Sequence, residues 1–178
     1  MAVKTNAQLA AFFETGDQPS QVEFGHLIDT IQPASVTLAD TATIALTAAT
    51  HGYRTVFVPN IGQTTTITLP VPVLDTWFHL VYLPGASDGN TLRIYTDSSS
   101  NTFFHGAVIH ADTNIVDSGS TGAAAVIAVH GEGSADDDIN LASGDHLDIW
   151  FHAISTTVWK IWGVSAGDTP ITITNDQS

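Results

Sequence analysis

The chain has no cysteine and a single methionine in 178 residues. Without thiols it forms no disulfide and no thiolate nucleophile or metal ligand, so stability must come from burial and association. Cations are almost as scarce. Lys4, Arg54, Arg93 and Lys160 stand against 18 acidic side chains, giving a formal charge of -14. A field of that sign opposes phosphate and argues against a nucleic-acid partner. No apolar run approaches the ~20 residues of a membrane span, and no basic segment followed by an apolar stretch opens the chain. The expectation is a protein with no signal peptide and no membrane partner. Charged residues make up only 12% of the chain against 43% hydrophobic. That balance excludes a disordered polymer and leaves solubility to carboxylates, Ser and Thr.

What is present is β-structure preceded by a short helical region. From Pro33 onward, short β-rich runs alternate with Gly, Pro, Asn, Asp and Ser. Twelve runs qualify as strands, among them Trp77–Leu83, Phe103–His110, Asn114–Val116, Ala123–His130 and Val158–Val164. The fold expected is mainly β, an antiparallel β-sandwich of jelly-roll type spanning residues 34–178, with residues 1–33 as an N-terminal helical arm. No repeat of fixed period is visible.

The clearest strand runs from Asp145 to Ile154. Leu147, Ile149, Phe151 and Ala153 share one face, and His146, Asp148, Trp150 and His152 share the other. The first face belongs in a core. The second joins a large aromatic to imidazoles and a carboxylate, which suits a half-exposed sheet face or a subunit interface. In the following run, Trp159 and Ile161 alternate with Lys160 and Trp162, so one Trp anchors the core and the other sits nearer the surface.

In the arm, Thr5-Asn6-Ala7-Gln8 fits a capping box that starts a short helix over 6–13, Gly16 suits its stop, and Pro19 suits the first turn of a second helix. In that second helix Phe24, Leu27, Ile28 and Ile31 fall on one stripe. The stripe must bury against the chain's own sheet, against copies of itself or against a scaffold. The residues Phe13-Glu14-Thr15-Gly16-Asp17, Pro19, Phe24 and Leu27-Ile28-Asp29-Thr30-Ile31 form a segment that resembles an N-terminal motif of tailed-phage virion structural proteins, including head decoration and fibre proteins. The resemblance covers about one-fifth of the chain. It implies a place on the virion, at the capsid exterior, with the major capsid protein as partner and no catalytic residues to transfer.

Signals of chemistry are weak. Gly85-Ala86-Ser87-Asp88-Gly89 matches G-x-S-x-G, but a nucleophile elbow needs a helix after it, and Thr91-Leu92-Arg93-Ile94-Tyr95 reads as a strand. Eight histidines lack metal-site spacing. His105 and His110 point to opposite strand faces, and His146 and His152 stand about 20 Å apart at ~3.3 Å per residue. Asp136-Asp137-Asp138 could attract a hard cation but lacks the alternating ligands of a calcium loop, and reads as a solvated acidic loop. The expectation is no enzyme activity and no cofactor.

Two function classes follow. One is a capsid decoration, or cement, protein that trimerises and bridges capsid subunits through Phe24, Leu27, Ile28, Ile31, His146, Trp150 and His152. The other is a fibre domain that binds a receptor or glycan. The expected loops Gly85–Asn90, Ser98–Asn101, Ser118–Gly122 and Gly131–Asp138 contain no Trp or Tyr to stack on a sugar, which favours the first. With a charge of -14, copies repel, and added ions screen that repulsion. Self-association followed by sedimentation should therefore strengthen from low to moderate salt. A steep weakening between about 50 and 200 mM, the behaviour of phosphate binders, would contradict the charge argument.

Overall fold

Period-two alternation decides the architecture, because each strand offers one apolar face that must find cover. The computed structural model describes residues 11, 20–31, 34–84, 89–96, 101–112, 126–132, 137–142 and 145–174. The elements are α1 (Gln21–Ile31), β1 (Val36–Thr37), β2 (Thr43–Ala45), α2 (Ala48–His51), β3 (Arg54–Val58), β4 (Thr65–Thr68), β5 (Trp77–Tyr82) and β6 (Leu92–Tyr95). They continue with β7 (Phe103–Asp112), β8 (Val126–Glu132), β9 (Asp138–Leu141), β10 (His146–Ala153), β11 (Val158–Gly167) and β12 (Thr172–Thr174). Seven strands form one sheet in the order β1-β3-β5-β10-β11-β7-β8, and five form a second in the order β12-β9-β6-β4-β2. The protein is mainly β, in two multi-stranded sheets with a shared core, consistent with the sandwich expected.

Strand direction departs from the expectation of antiparallel pairing. The pairs β1–β3, β3–β5, β2–β4, β4–β6 and β7–β11 are parallel. The remaining five pairs are antiparallel. The cause lies in the connections. From β1 to β6 the chain crosses to the other sheet after every strand, so successive strands within a sheet run the same way. Val36, Val56 and Leu80 thus stack in register along one sheet, and Ile44, Ile67 and Ile94 along the other. Ile61, buried in the β3–β4 connection, and Leu69, just after β4, carry the apolar layer round the corners.

The core is aromatic at its centre. Phe78 lies 5.4 Å from Trp159, and Phe104 lies 5.7 Å from Phe151, with tilted rings. Leu147, Ile149, Phe151 and Ala153 all face inward, as the alternation of that strand required. Trp159 is fully buried, whereas Trp162 stays 41% exposed.

Two local expectations change. Asp137 and Asp138 are buried rather than solvated, and Asp138 begins β9, a strand the acidic run concealed. Its carboxylate accepts from Arg93 Nη2 at 2.7 Å and from Asn140 Nδ2 at 2.5 Å, which offsets the cost of burying the charge. Asp136 lies outside the described residues, as do the expected first helix apart from Ala11, the strands at 114–116 and 123–125, and residues 85–88 of the G-x-S-x-G segment. The described helix is capped by Ser20 and Glu23 in a reciprocal box. The Ser20 N–H donates to Glu23 Oε2 at 2.7 Å, and the Glu23 N–H donates to Ser20 Oγ at 3.3 Å. The first of these bonds holds the Glu23 carboxyl below its usual range.

Gly106, in the middle of β7, has φ +136, a conformation side chains rarely adopt. A Cβ there would also collide with the carbonyl of Ile161 on β11. Gly106→Ala should therefore cost roughly 2–4 kcal/mol in urea unfolding. Gly25→Ala, where a Cβ meets nothing within 4 Å, should leave the midpoint unchanged or slightly higher. Equal midpoints for the two variants would refute the strain at Gly106.

Candidate functional site

The two outer faces of the sandwich differ in chemistry. On the five-stranded sheet, alternation turns Thr43, Thr66, Thr68, Arg93, Tyr95, Asn140, Thr172 and Thr174 away from the core, a hydroxyl-rich surface. On the seven-stranded sheet the outward positions are mainly aromatic, apolar and imidazole, with Thr55, Asp148, Lys160 and Glu132 among them. Register sets them in rows. Thr55, His79, Trp150, Trp162, Ala107 and His130 are successive partners across β3, β5, β10, β11, β7 and β8. The neighbouring row runs Phe57, Val81, Asp148, Val164, Ile109, Ala128. On the other side lie Trp77, His152, Lys160, His105 and Glu132.

The central row is a stack. The His79 ring lies 4.2 Å from Trp150 with 8° between planes, and Trp162 lies 6.0 Å from Trp150 on the next strand at 4°. Trp150 is thus held between two parallel rings, because its strand pairs with β5 on one side and β11 on the other. Trp77 tilts against Trp150 at 5.2 Å, and Tyr53 meets Trp77 edge-on at 6.1 Å. Lys160 Nζ sits 5.8 Å from the Trp162 centroid, and His152 approaches the same ring edge-on at 6.5 Å.

Hydrogen bonds orient the stack. His79 Nε2 lies 2.7 Å from Asp148 Oδ1, and its Nδ1 lies 3.1 Å from Thr55 Oγ1. An ionised carboxylate only accepts, so Nε2 carries the proton. In the neutral ring Nδ1 then accepts from the Thr55 hydroxyl. His152 Nε2 lies 3.8 Å from Asp75 Oδ1. Tyr53 and Asp75, at the end of this face, both adopt left-handed backbone, with φ 60 and φ 66. Tyr53 is fastened there by its N–H to the Trp77 carbonyl at 2.8 Å. Beside the stack, Val81, Leu83, Ala111, His146, Asp148 and Val164 help line a groove of about 360 Å³.

The residues singled out in the sequence divide accordingly. His146, Trp150 and His152 lie on this face, and Trp150 is at its centre. Phe24 on α1 is 50% exposed and Leu27 is half-buried, while the side chains of Ile28 and Ile31 lie outside the described set. Trp77, His79 and Trp162 complete the site. Their part in it depends on strand register, which no single run reveals.

A second cluster, buried at the end of the core, brings together Ser, His and Asp. His110 Nδ1 is 2.9 Å from Ser165 Oγ, with Asp145 nearby. Its Nε2 and Asp145 Oδ2 have no hydrogen-bond partner, so the imidazole does not bridge nucleophile and carboxylate as acyl transfer requires. All three residues are buried. Among the described residues, no group of three or more His, Asp or Glu is placed to hold a metal ion. Compared with protein-family models, curated proteins and solved structures, the chain matches none.

Burial pushes the Asp145 carboxyl above its ordinary range, against the opposing pull of His110 and of the Asp168 backbone. The folded state therefore binds this proton more tightly than the unfolded chain does. The stabilisation it gives is complete below the unfolded value and is lost as pH rises through the folded one. Asp145→Asn should remove this descending component, so that the stability gap between variant and parent shifts in the variant's favour from acid toward neutral pH. Urea titrations at stepped pH would show it, and parallel profiles would contradict the assignment.

Proposed function

We propose that this protein is a non-enzymatic structural component of a virion, a homotrimeric decoration protein that binds the capsid exterior and bridges capsid subunits. The observation that carries the assembly part of this reading is the uncovered aromatic face of the seven-stranded sheet. Trp162 and Val164, at 41% and 56% exposure, lie among Trp77, Trp150 and Ile109 on one surface. Contiguous aromatic surface of this kind marks a protein contact. The capsid part rests on the resemblance of the arm over Phe13–Ile31 to tailed-phage virion proteins. A trimer touching several capsid subunits gains avidity, since each later contact forms at high effective concentration. It also matches a local threefold position on a shell.

The other reading, a fibre domain that binds a glycan, needs open ring faces. Trp150, at the centre of the face, is stacked against His79 and Trp162, which favours assembly, and Trp162, 41% exposed, is the ring a sugar would have to use.

Light scattering should give a trimer mass, and the protein should co-purify with intact capsids at fixed copy number. Removing residues 1–31, or replacing Leu27 and Ile28 with Asp, should leave the sheets folded but weaken capsid attachment. Burying two such side chains is worth roughly 3–6 kcal/mol. A monomer at all concentrations, or equal capsid uptake by both variants, would overturn the trimer or the arm's role respectively.

A further inference from the structure

We infer that the outer face of the seven-stranded sheet is the surface through which copies of this chain meet, leaving the arm free for the shell. The inference rests on the assembly reading above and names the contact it requires.

Extent is the first argument. Six strands, β3 to β8 in sheet order, at ~4.8 Å spacing and about eight residues long at ~3.3 Å each, span roughly 24 by 26 Å. That is about 600 Å² before side-chain relief, close to the ~800 Å² that each partner of a stable complex buries. The outward surface of the other sheet is polar and hydroxyl-rich, so it offers no comparable apolar area.

Charge selects the occupant. Two molecules at -14 repel wherever carboxylates face each other. On this face each acidic position adjoins an imidazole. Five of the eight histidines, His79, His105, His130, His146 and His152, lie on it together with Lys160. Asp148 is already bonded to His79, Asp75 sits beside His152 at the margin, and Glu132 stands at the register position opposite His105. A second copy of a strongly acidic chain therefore meets acidic positions that already have imidazole neighbours here, and the Trp residues supply the central apolar anchors typical of interface hot spots. Preorganisation helps. The stack fixes the Trp150 and His79 rotamers before contact, so little side-chain freedom remains to be lost.

The test uses the full chain. Trp162→Glu and Val164→Glu alter exposed positions, so circular dichroism should stay at the parent spectrum. The dissociation constant for self-association, measured by sedimentation, should rise about thirty-fold or more for each. Thr172→Lys, on the opposite outer face, should leave it unchanged. Parent-like association of both face variants overturns the inference. If either variant misfolds, hydroxyl-radical footprinting of the parent below and above its association range decides: protection of Trp162 and Val164 on association supports the face, and unchanged reactivity overturns it. A parent that is monomeric throughout brings down the assembly reading and this inference together. Variants that keep the parent's oligomer but lose capsid uptake overturn this inference alone and assign the face to the shell.

Discussion

Between the two sheets runs a layer of apolar side chains that every strand must reach with alternate residues. Phe78, Leu80 and Val56 enter it from one side, and Ile67, Leu92 and Ile94 from the other, all essentially without solvent exposure. Because the chain crosses between the sheets after each of its early strands, this one layer is built jointly by segments far apart in sequence. Its integrity fixes the register of both sheets, since a slip of one residue would turn every inward side chain to solvent. The outer faces inherit that register. Only because β5, β10 and β11 are locked in place do His79, Trp150 and Trp162 fall into one row.

The constraint also frees the outer faces to differ. With core demand met by one set of alternating positions, the other set carries threonines on the smaller sheet and stacked aromatics on the larger. On a sheet the ~4.8 Å between strands sets the scale of the ring spacing, here 4.2 and 6.0 Å. Asp148 and Thr55 then hold the imidazole of His79 in one tautomer and one orientation.

Much of the core was legible in sequence. The run His146-Leu147-Asp148-Ile149-Trp150-Phe151-His152-Ala153 separates its two faces by simple alternation, and the same pattern distinguishes Trp159 from Trp162. Strand direction was not legible, because a period of two reads the same for parallel and antiparallel neighbours, and direction is set by whether a connection turns back or crosses over. β9 was hidden by composition: Asp136-Asp137-Asp138 reads as a solvated loop until Arg93 and Asn140, from β6 and β9 itself, are placed against Asp138. The Ser20-Gln21-Val22-Glu23 box has the same serine-or-threonine to glutamate-or-glutamine spacing as Thr5 to Gln8, so spacing alone marks both. The aromatic row needed partners about seventy residues apart, His79 with Asp148 and Trp150, and no local pattern announces such a pair.

The ends of the sheets carry a further consequence. Among the described residues the sheets have four edge strands: β1 has two residues, β2 and β12 have three each, and β8, the long one, lies alongside β12 at the side of the sandwich. Unpaired backbone at a long, flat edge is a template on which another chain can add strands without limit, the route to fibres and aggregates. Stubs of two or three residues offer almost no template. Such edges leave side-chain contacts of finite extent, rather than added strands, as the route by which copies of the chain could meet.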